Sequence, residues 1–205
     1  MNGSIIIKPS VQKRFDRFME HGRILFFSVP CGFGKTALAD ALLRGRNVLR
    51  LNAGTPDRAI PPTAPDWDIL LIDDFQLMQD EAGQQALCEL IRSSPERRFV
   101  LLSRGAPPGC LTAFQYTGLM TVLTADDLLF DRDDIRRLFD ACEVAASDSE
   151  IGAILKESIG YPLGAVVAAQ CMSGGKPFSA EIAAQAHRQV FVYFQEHIYL
   201  RFDLP

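Results

Sequence analysis

The chain has 205 residues, a formal net charge of −4 and a pI near 5.4. This acidic balance argues against a general binder of nucleic acid or of anionic membrane surfaces. A chain of this length buries more than about two-thirds of the surface that it exposes when unfolded, which is enough for one packed domain with a small satellite.

A helix and then a buried strand are the first predicted elements. Ser10 has a side chain suited to an N-cap, and Phe15 and Phe18 follow it at helical spacing. The apolar run at 24–27 predicts a buried strand. Strong helix formers begin again at residue 37, so a second helix is expected there.

The segment between this strand and the second helix reads Ser-Val-Pro-Cys-Gly-Phe-Gly-Lys-Thr, residues 28–36. Gly32 and Gly34 allow the loop to turn its backbone N–H groups toward an anion, and the helix N-terminus adds its dipole. Lys35 is placed to reach the β- and γ-phosphates of a nucleotide, and the Thr36 hydroxyl is placed to bind Mg²⁺. The segment therefore predicts a phosphate-binding P-loop.

One position departs from the usual P-loop pattern, because Val29 stands where a glycine is expected. A chance Gly-Lys-Thr match at a helix start is the alternative explanation. The flanking strand and helix favour the P-loop. We expect nucleotide contacts from eight successive residues, which are Pro30, Cys31, Gly32, Phe33, Gly34, Lys35, Thr36 and Ala37.

A second strand at 48–51 is followed by a proline-rich loop at 53–68. The branched apolar run at 69–72 then predicts a strand buried on both faces, and two acids, Asp73 and Asp74, end it. Ligands of open parallel sheets bind at this carboxyl edge.

The two acids suggest a division of roles. We expect Asp73 to hold Mg²⁺ opposite Thr36 and Asp74 to polarise an attacking water as a general base. An acidic pair that merely begins a loop is the structural alternative.

A helix at about 79–92 leads to another buried strand at 99–102, and a weaker fifth strand is predicted at 119–123. Arg104, just after the fourth strand, could stabilise the transferring phosphoryl group, or it could be a surface arginine in a turn. This alternation predicts an open five-stranded parallel sheet flanked by helices. With the P-loop, the strand that ends in Ser103-Arg104 favours an ASCE-type P-loop NTPase fold, the ATPase branch of these proteins.

Beyond residue 124 only helices are predicted, so the chain divides into a nucleotide-binding domain at 1–124 and a helical subdomain at 125–205. Four residues suit helix starts, which are Asp131, Ser147 (or its neighbour Asp148), Pro162 and Ser179. The Gly160-Tyr161-Pro162 sequence by itself indicates only a tight corner between two helices.

The cysteines are odd in number and scattered, without a Cys-x-x-Cys pair; they are Cys31, Cys88, Cys110, Cys142 and Cys171. This usage predicts reduced thiols in a cytoplasmic protein. No signal-peptide pattern and no apolar run long enough to span a bilayer are visible in the sequence.

Taken together, these motifs resemble the STAND signal-transduction ATPases, and above all the N-terminal ATPase domain of the large LuxR-type regulators, a family that includes the maltose-regulon activator. The resemblance covers almost the whole chain. In order, the matching motifs are Ile7-Lys8-Pro9, Pro30-x-Gly-x-Gly-Lys-Thr, Asp73-Asp74, Leu102-Ser103-Arg104, Asp127-Leu128-x-Phe130 and Gly160-Tyr161-Pro162-Leu163-Gly164.

The resemblance implies an ATP/ADP switch with Mg²⁺ and slow hydrolysis, in which Pro9 borders the adenine and Pro162 packs near the nucleotide. Regulators of this family also carry a winged-helix element, a helical-repeat sensor and a DNA-binding helix-turn-helix, none of which is visible here. We therefore expect a fragment that does not itself bind DNA or a membrane and that could self-associate with ATP. One departure is the spacing of 38 residues from Lys35 to Asp73, which is short for the family.

Two other functions remain open from the sequence. A P-loop phosphotransferase acting on a small molecule would need an arginine-rich lid and an acceptor pocket. An AAA+ type ATPase would form ATP-dependent hexameric rings.

Overall fold

The computed structural model describes residues 5–55 and 67–198, and its internal contacts divide these residues into two units. The sheet unit comprises residues 7–30, 35–55 and 67–127. The helical unit comprises residues 5–6, 31–34 and 128–198. The middle of the phosphate loop therefore belongs by its contacts to the helical unit.

The sheet unit is built on five parallel strands, as the sequence predicted. They are β1 (Ile24–Ser28), β2 (Val48–Asn52), β3 (Ile69–Asp73), β4 (Arg98–Ser103) and β5 (Met120–Thr124). Their order across the sheet is β2-β3-β4-β1-β5. Because β4 lies between β1 and β3, the loop after β1 and the acids after β3 flank the end of β4.

Helices accompany these strands and continue beyond them. The sheet unit contains α1 (Pro9–His21), α2 (Lys35–Leu42), α3 (Glu81–Ser93), α4 (Thr112–Tyr116) and most of α5 (Ala125–Leu128). The helical unit contains α6 (Arg132–Ala141), α7 (Asp148–Ser158), α8 (Pro162–Met172) and α9 (Ala180–His197).

The starts of the helices follow from the side chains at those positions, with one correction. Lys8 rather than Ser10 is the N-cap of α1, because Pro9 takes the first helical position, where its missing N–H removes no hydrogen bond. In the helical unit, the predicted starts at Asp131, Ser147, Pro162 and Ser179 are confirmed. The Asp131 and Ser147 side chains each belong to a capping box.

The core of the sheet unit lies on both faces of the central strands. The paired residues Phe26 and Leu101 lie on one face and their neighbours Phe27 and Leu102 on the other, and all four are fully buried. Trp67 is also buried; its ring meets the Phe99 ring edge-on, with centroids 6.0 Å apart, and the Arg97 guanidinium carbon lies over the Trp67 ring, 4.1 Å from its centroid. Trp67 is therefore a packing residue of this core.

The remaining sequence expectations concern the proline-rich loop, the thiols and the membrane. Residues 56–66 of the predicted loop and residues 199–205 at the chain end lie outside the described residues. All five cysteines carry free thiols. Within the described part of the chain, no helix is long and apolar enough to cross a membrane.

The sheet core yields a stability prediction. Leu101→Ala should lower the free energy of unfolding by about 2–5 kcal/mol, because it opens a cavity in the central strand. Leu77→Ala removes the same atoms from a side chain that is 43% exposed, and should cost less than about 1 kcal/mol. Urea unfolding followed by fluorescence of the only tryptophan, Trp67, measures both. Equal losses in the two variants would contradict the burial described for Leu101.

Candidate functional site

The phosphate loop begins where β1 ends, and its first residue continues the pairing with β4. The Val29 N–H donates to the Ser103 carbonyl at 3.1 Å, and the Val29 side chain is fully buried. A side chain is therefore accommodated at the position where most P-loops have a glycine, and the departure from the pattern leaves the strand-to-loop geometry intact.

Two glycines give the loop its curvature. Gly32 has φ +80° and Gly34 has φ +73°, and both values lie in the left-handed region that favours glycine. Helix α2 begins directly afterwards, at Lys35. Successive N–H groups in such a turn, followed by a helix N-terminus, form a concave site for an anion.

The Lys35 side chain reaches back to the start of the loop. Its Nζ donates to the Pro30 carbonyl at 2.9 Å, five residues back along the chain. The ammonium group is therefore held across the loop, where a bound phosphate could replace the neutral carbonyl with a charged partner.

The residues predicted to bind Mg²⁺ lie together. The Thr36 hydroxyl donates to Asp73 Oδ2 at 2.9 Å, although 37 positions separate the two residues. Asp73 Oδ1 accepts the Asp74 N–H at 2.8 Å, so the carboxylate is oriented from both sides. Because the Thr36 hydrogen is directed at Asp73, the lone pairs of its oxygen are left for a cation. Hard oxygen donors of this kind suit Mg²⁺, which completes its shell with phosphate oxygens and water.

The second acid is directed elsewhere by its backbone. Asp74 has φ 50°, a left-handed conformation that aspartate tolerates better than most residues. Its Oδ1 accepts from the Gln76 amide nitrogen at 3.0 Å and lies 3.6 Å from an Arg104 guanidinium nitrogen. The two residues predicted to be catalytic thus form an ion pair at the ends of adjacent strands, β3 and β4.

Gln76 was not singled out from the sequence. Its amide oxygen accepts the Arg104 N–H at 3.0 Å while its nitrogen donates to Asp74. This one side chain therefore connects the two strand ends. The sequence feature that could have indicated this role is a polar amide between two apolar residues, Phe75 and Leu77, shortly after the acidic pair.

The other predicted nucleotide contacts lie in different parts of the two units. Pro9 is the exposed first helical residue of α1, and Ala37 is half-buried in α2, both in the sheet unit. Pro162 is the buried first residue of α8 in the helical unit. Their proposed contacts with a nucleotide stay predictions.

Tyr161 is a second residue that sequence reasoning missed. Within the helical unit its hydroxyl donates to the Cys31 carbonyl at 2.9 Å, and its ring meets the Phe33 ring edge-on at 5.1 Å. The sequence places it 130 positions from Cys31. In the sequence, the only indication of a packing role was that Tyr161 is an aromatic residue within a helix corner.

Solved structures share this architecture at low sequence identity. Domain III of the replication initiation protein DnaA from Thermotoga maritima matches with a TM-score of 0.61 and 14% identity, over 90% of this chain and 94% of that one. A Walker-type ATPase of Pyrococcus abyssi gives a TM-score of 0.65 at 13% identity, over 97% of this chain and 77% of that one.

A third similar structure is a signal transduction ATPase with numerous domains (STAND) from Pyrococcus horikoshii, which has a tetratricopeptide repeat sensor. Its TM-score is 0.57 at 13% identity, over 91% of this chain but only 33% of that one. No protein-family model and no curated protein sequence matches the chain. At these identities the likeness concerns the fold, and that fold is the one of the P-loop NTPases, as the sequence predicted.

The geometry at Asp73 yields a prediction about the metal. Asp73→Asn should weaken the dependence of ATP binding on Mg²⁺, because the amide keeps the shape of the carboxylate but lacks its charge. Asp74→Asn is the matched control and should keep the dependence, since Asp74 is turned toward Gln76 and Arg104. Calorimetric titration with ATP at several Mg²⁺ concentrations measures this. An equal effect of the two substitutions would contradict the assignment.

Proposed function

We propose that this chain binds ATP and ADP with Mg²⁺ and acts as a molecular switch with slow ATP hydrolysis. The observation that carries the proposal is the hydrogen bond from the Thr36 hydroxyl to the Asp73 carboxylate at 2.9 Å, directly beside the glycine loop. A Walker-type site needs a metal-binding hydroxyl and a strand-end carboxylate close together, and here the two are in contact.

Different residues of the site would bind different parts of the nucleotide and its metal ion. The loop amides and the N-terminus of α2 suit the phosphates, and Lys35 adds a positive charge. Thr36 and Asp73 offer oxygen ligands for a cation. Bound Mg²⁺ would neutralise charge that develops on the phosphate oxygens. In this proposal Pro9 and Pro162 border the nucleoside, as the resemblance to LuxR-type ATPases implies.

The surroundings of Asp74 support slow rather than fast hydrolysis. Gln76 and Arg104 both approach the same oxygen, Asp74 Oδ1, at 3.0 Å and 3.6 Å. A water that is activated through this oxygen would have to compete with these two partners. In this proposal Arg104 exchanges Asp74 for a phosphoryl oxygen, and that exchange would also free the Asp74 carboxylate for the attacking water.

We further propose that the chain is the regulatory NTPase module of a LuxR-type, signal-responsive transcriptional regulator in the cytoplasm. Two findings support this: the ordered motifs of the resemblance, and the likeness of the fold to a STAND protein of which the chain covers 33%. In this proposal, a winged-helix element, a helical-repeat sensor and a DNA-binding domain of a longer chain respond to the nucleotide state. The module itself contacts neither DNA nor membrane, and ATP-dependent self-association is part of its switching.

Nucleotide binding is tested by thermal stability. A ligand at 100 times its Kd stabilises a protein by about 2.7 kcal/mol. For a chain of this size Mg·ADP should then raise the Tm by roughly 5–10 °C. Lys35→Ala should remove most of the shift, whereas Lys13→Ala on the exposed face of α1 should keep it. The proposal fails if neither ADP nor ATP shifts the wild-type protein.

Hydrolysis is tested separately. Asp74→Asn should leave ATP binding nearly intact and lower the rate of phosphate release by about 10²–10⁴, because the amide cannot accept the proton of the attacking water. Asp126→Asn, at an exposed acid of α5, is the matched control and should hydrolyse ATP normally. An unchanged rate of hydrolysis in Asp74→Asn would exclude Asp74 as the general base.

The same preparations separate the switch from its rivals. ATP-dependent hexamers in solution would favour an AAA+ type ATPase. Transfer of the γ-phosphate to a small molecule, rather than to water, would favour a phosphotransferase.

A further inference from the structure

Tyr161 is in direct contact with the phosphate loop, and nothing in the proposed chemistry uses it. Its hydroxyl donates to the Cys31 carbonyl at 2.9 Å. Its ring meets Phe33 edge-on at 5.1 Å and stacks on Phe194 of α9, with centroids 6.1 Å apart and planes 13° from parallel. Loop, helix corner and α9 are thus joined through one side chain, all within the helical unit.

The hydrogen bond fixes one peptide of the loop. In a trans peptide the C=O and the following N–H point in opposite directions. The Cys31 carbonyl and the Gly32 N–H belong to the same peptide, so the bond from Tyr161 turns the Gly32 N–H to the side away from the tyrosine. Without that bond the peptide could rotate, since Gly32 tolerates many backbone conformations.

The fit between Tyr161 and the loop requires glycine at position 32. A Cβ on Gly32 would lie 1.5 Å from the Tyr161 hydroxyl oxygen, closer than any non-bonded contact allows. Gly34, with a similar positive φ, has no neighbour within 4 Å of its hypothetical Cβ. Gly32 therefore serves both the backbone turn and the close approach of the tyrosine.

Burial also keeps the hydroxyl a donor. It raises the pKa of Tyr161 well above the ordinary tyrosine value, so the group stays protonated throughout the physiological range.

We propose that the Tyr161 hydroxyl is a positioning group for the phosphate loop, which holds the Cys31–Gly32 peptide so that the Gly32 N–H is available to the diphosphate of a nucleotide. The inference rests on the proposed nucleotide binding and adds a residue to it. Through Phe194, the same side chain connects phosphate binding to α9.

Tyr161→Phe tests the hydroxyl alone, since it keeps the ring contacts with Phe33 and Phe194. It should raise the Kd for Mg·ADP by about three- to tenfold, the size of one neutral hydrogen bond. Pyrophosphate, measured by competition with ADP, should weaken by the same factor because it uses only the loop. The exposed Tyr116, changed to Phe, is the matched control and should bind both ligands like the wild type.

The outcomes separate this inference from the function on which it rests. If the wild type binds ADP and Tyr161→Phe binds pyrophosphate with an unchanged Kd, the role of Tyr161 is overturned and nucleotide binding stands. Weaker ADP binding with normal pyrophosphate binding would also overturn it, because the tyrosine would then act on the nucleoside. Failure of the wild type to bind ADP would overturn the proposed function and this role together.

A second measurement needs no nucleotide. Alkylation of Cys31, followed by mass spectrometry of the modified peptide, should be several times faster in Tyr161→Phe, because the loop peptide is no longer held. The exposed Cys142 is the internal control and should react equally in both proteins. Equal rates at Cys31 in the two proteins would overturn the claim that Tyr161 holds the loop.

Discussion

The contact between the Thr36 hydroxyl and the Asp73 carboxylate is the interaction on which the rest of the site depends. It follows from the strand order, in which β4 separates β1 from β3. The loop after β1 leads to the start of α2, where Thr36 meets Asp73, the last residue of β3, at the carboxyl edge of the sheet. A parallel sheet with both faces covered requires apolar strands, and the burial of β1, β3 and β4 meets this requirement. The polar residues are thus confined to the strand ends, where ligands of such sheets bind.

A second polar connection lies beside the first, at the ends of β3 and β4. The Gln76 amide donates to Asp74 and accepts from the Arg104 backbone N–H, so it connects both strand ends. The Asp74 carboxylate and the Arg104 guanidinium lie 3.6 Å apart. In the proposed reaction each would act in phosphoryl transfer, so their pairing would have to open before hydrolysis.

Much of this could be predicted from the sequence, because the deciding signals are local. The apolar runs predicted the strands, and the glycines followed by Gly-Lys-Thr predicted the loop. The caps of the later helices were also visible, since an N-cap bonds to residues two or three positions away. The predicted N-cap at Ser10 was wrong because Pro9 can itself occupy the first position of a helix.

The contacts that could not be predicted join residues far apart in the chain. Gln76 meets Arg104 across 28 positions, and Tyr161 meets Cys31 across 130. Gln76 lies outside the matched motifs, and Tyr161 lies inside Gly160-Tyr161-Pro162, which by itself indicated only a helix corner. Their roles depend on tertiary packing, which composition and periodicity do not encode. The valine at position 29 could not be explained from the sequence either. Its buried side chain and its pairing with Ser103 show how a residue other than glycine fits there.

The most direct test of this account is a crystal structure of the protein with ADP and Mn²⁺, which replaces Mg²⁺ and scatters anomalously. The account predicts an anomalous peak within coordination distance of the Thr36 hydroxyl, beside Asp73, with the diphosphate bound by the amides from Gly32 to Thr36. A metal and diphosphate bound elsewhere, or ADP absent from the loop at saturating concentration, would contradict it.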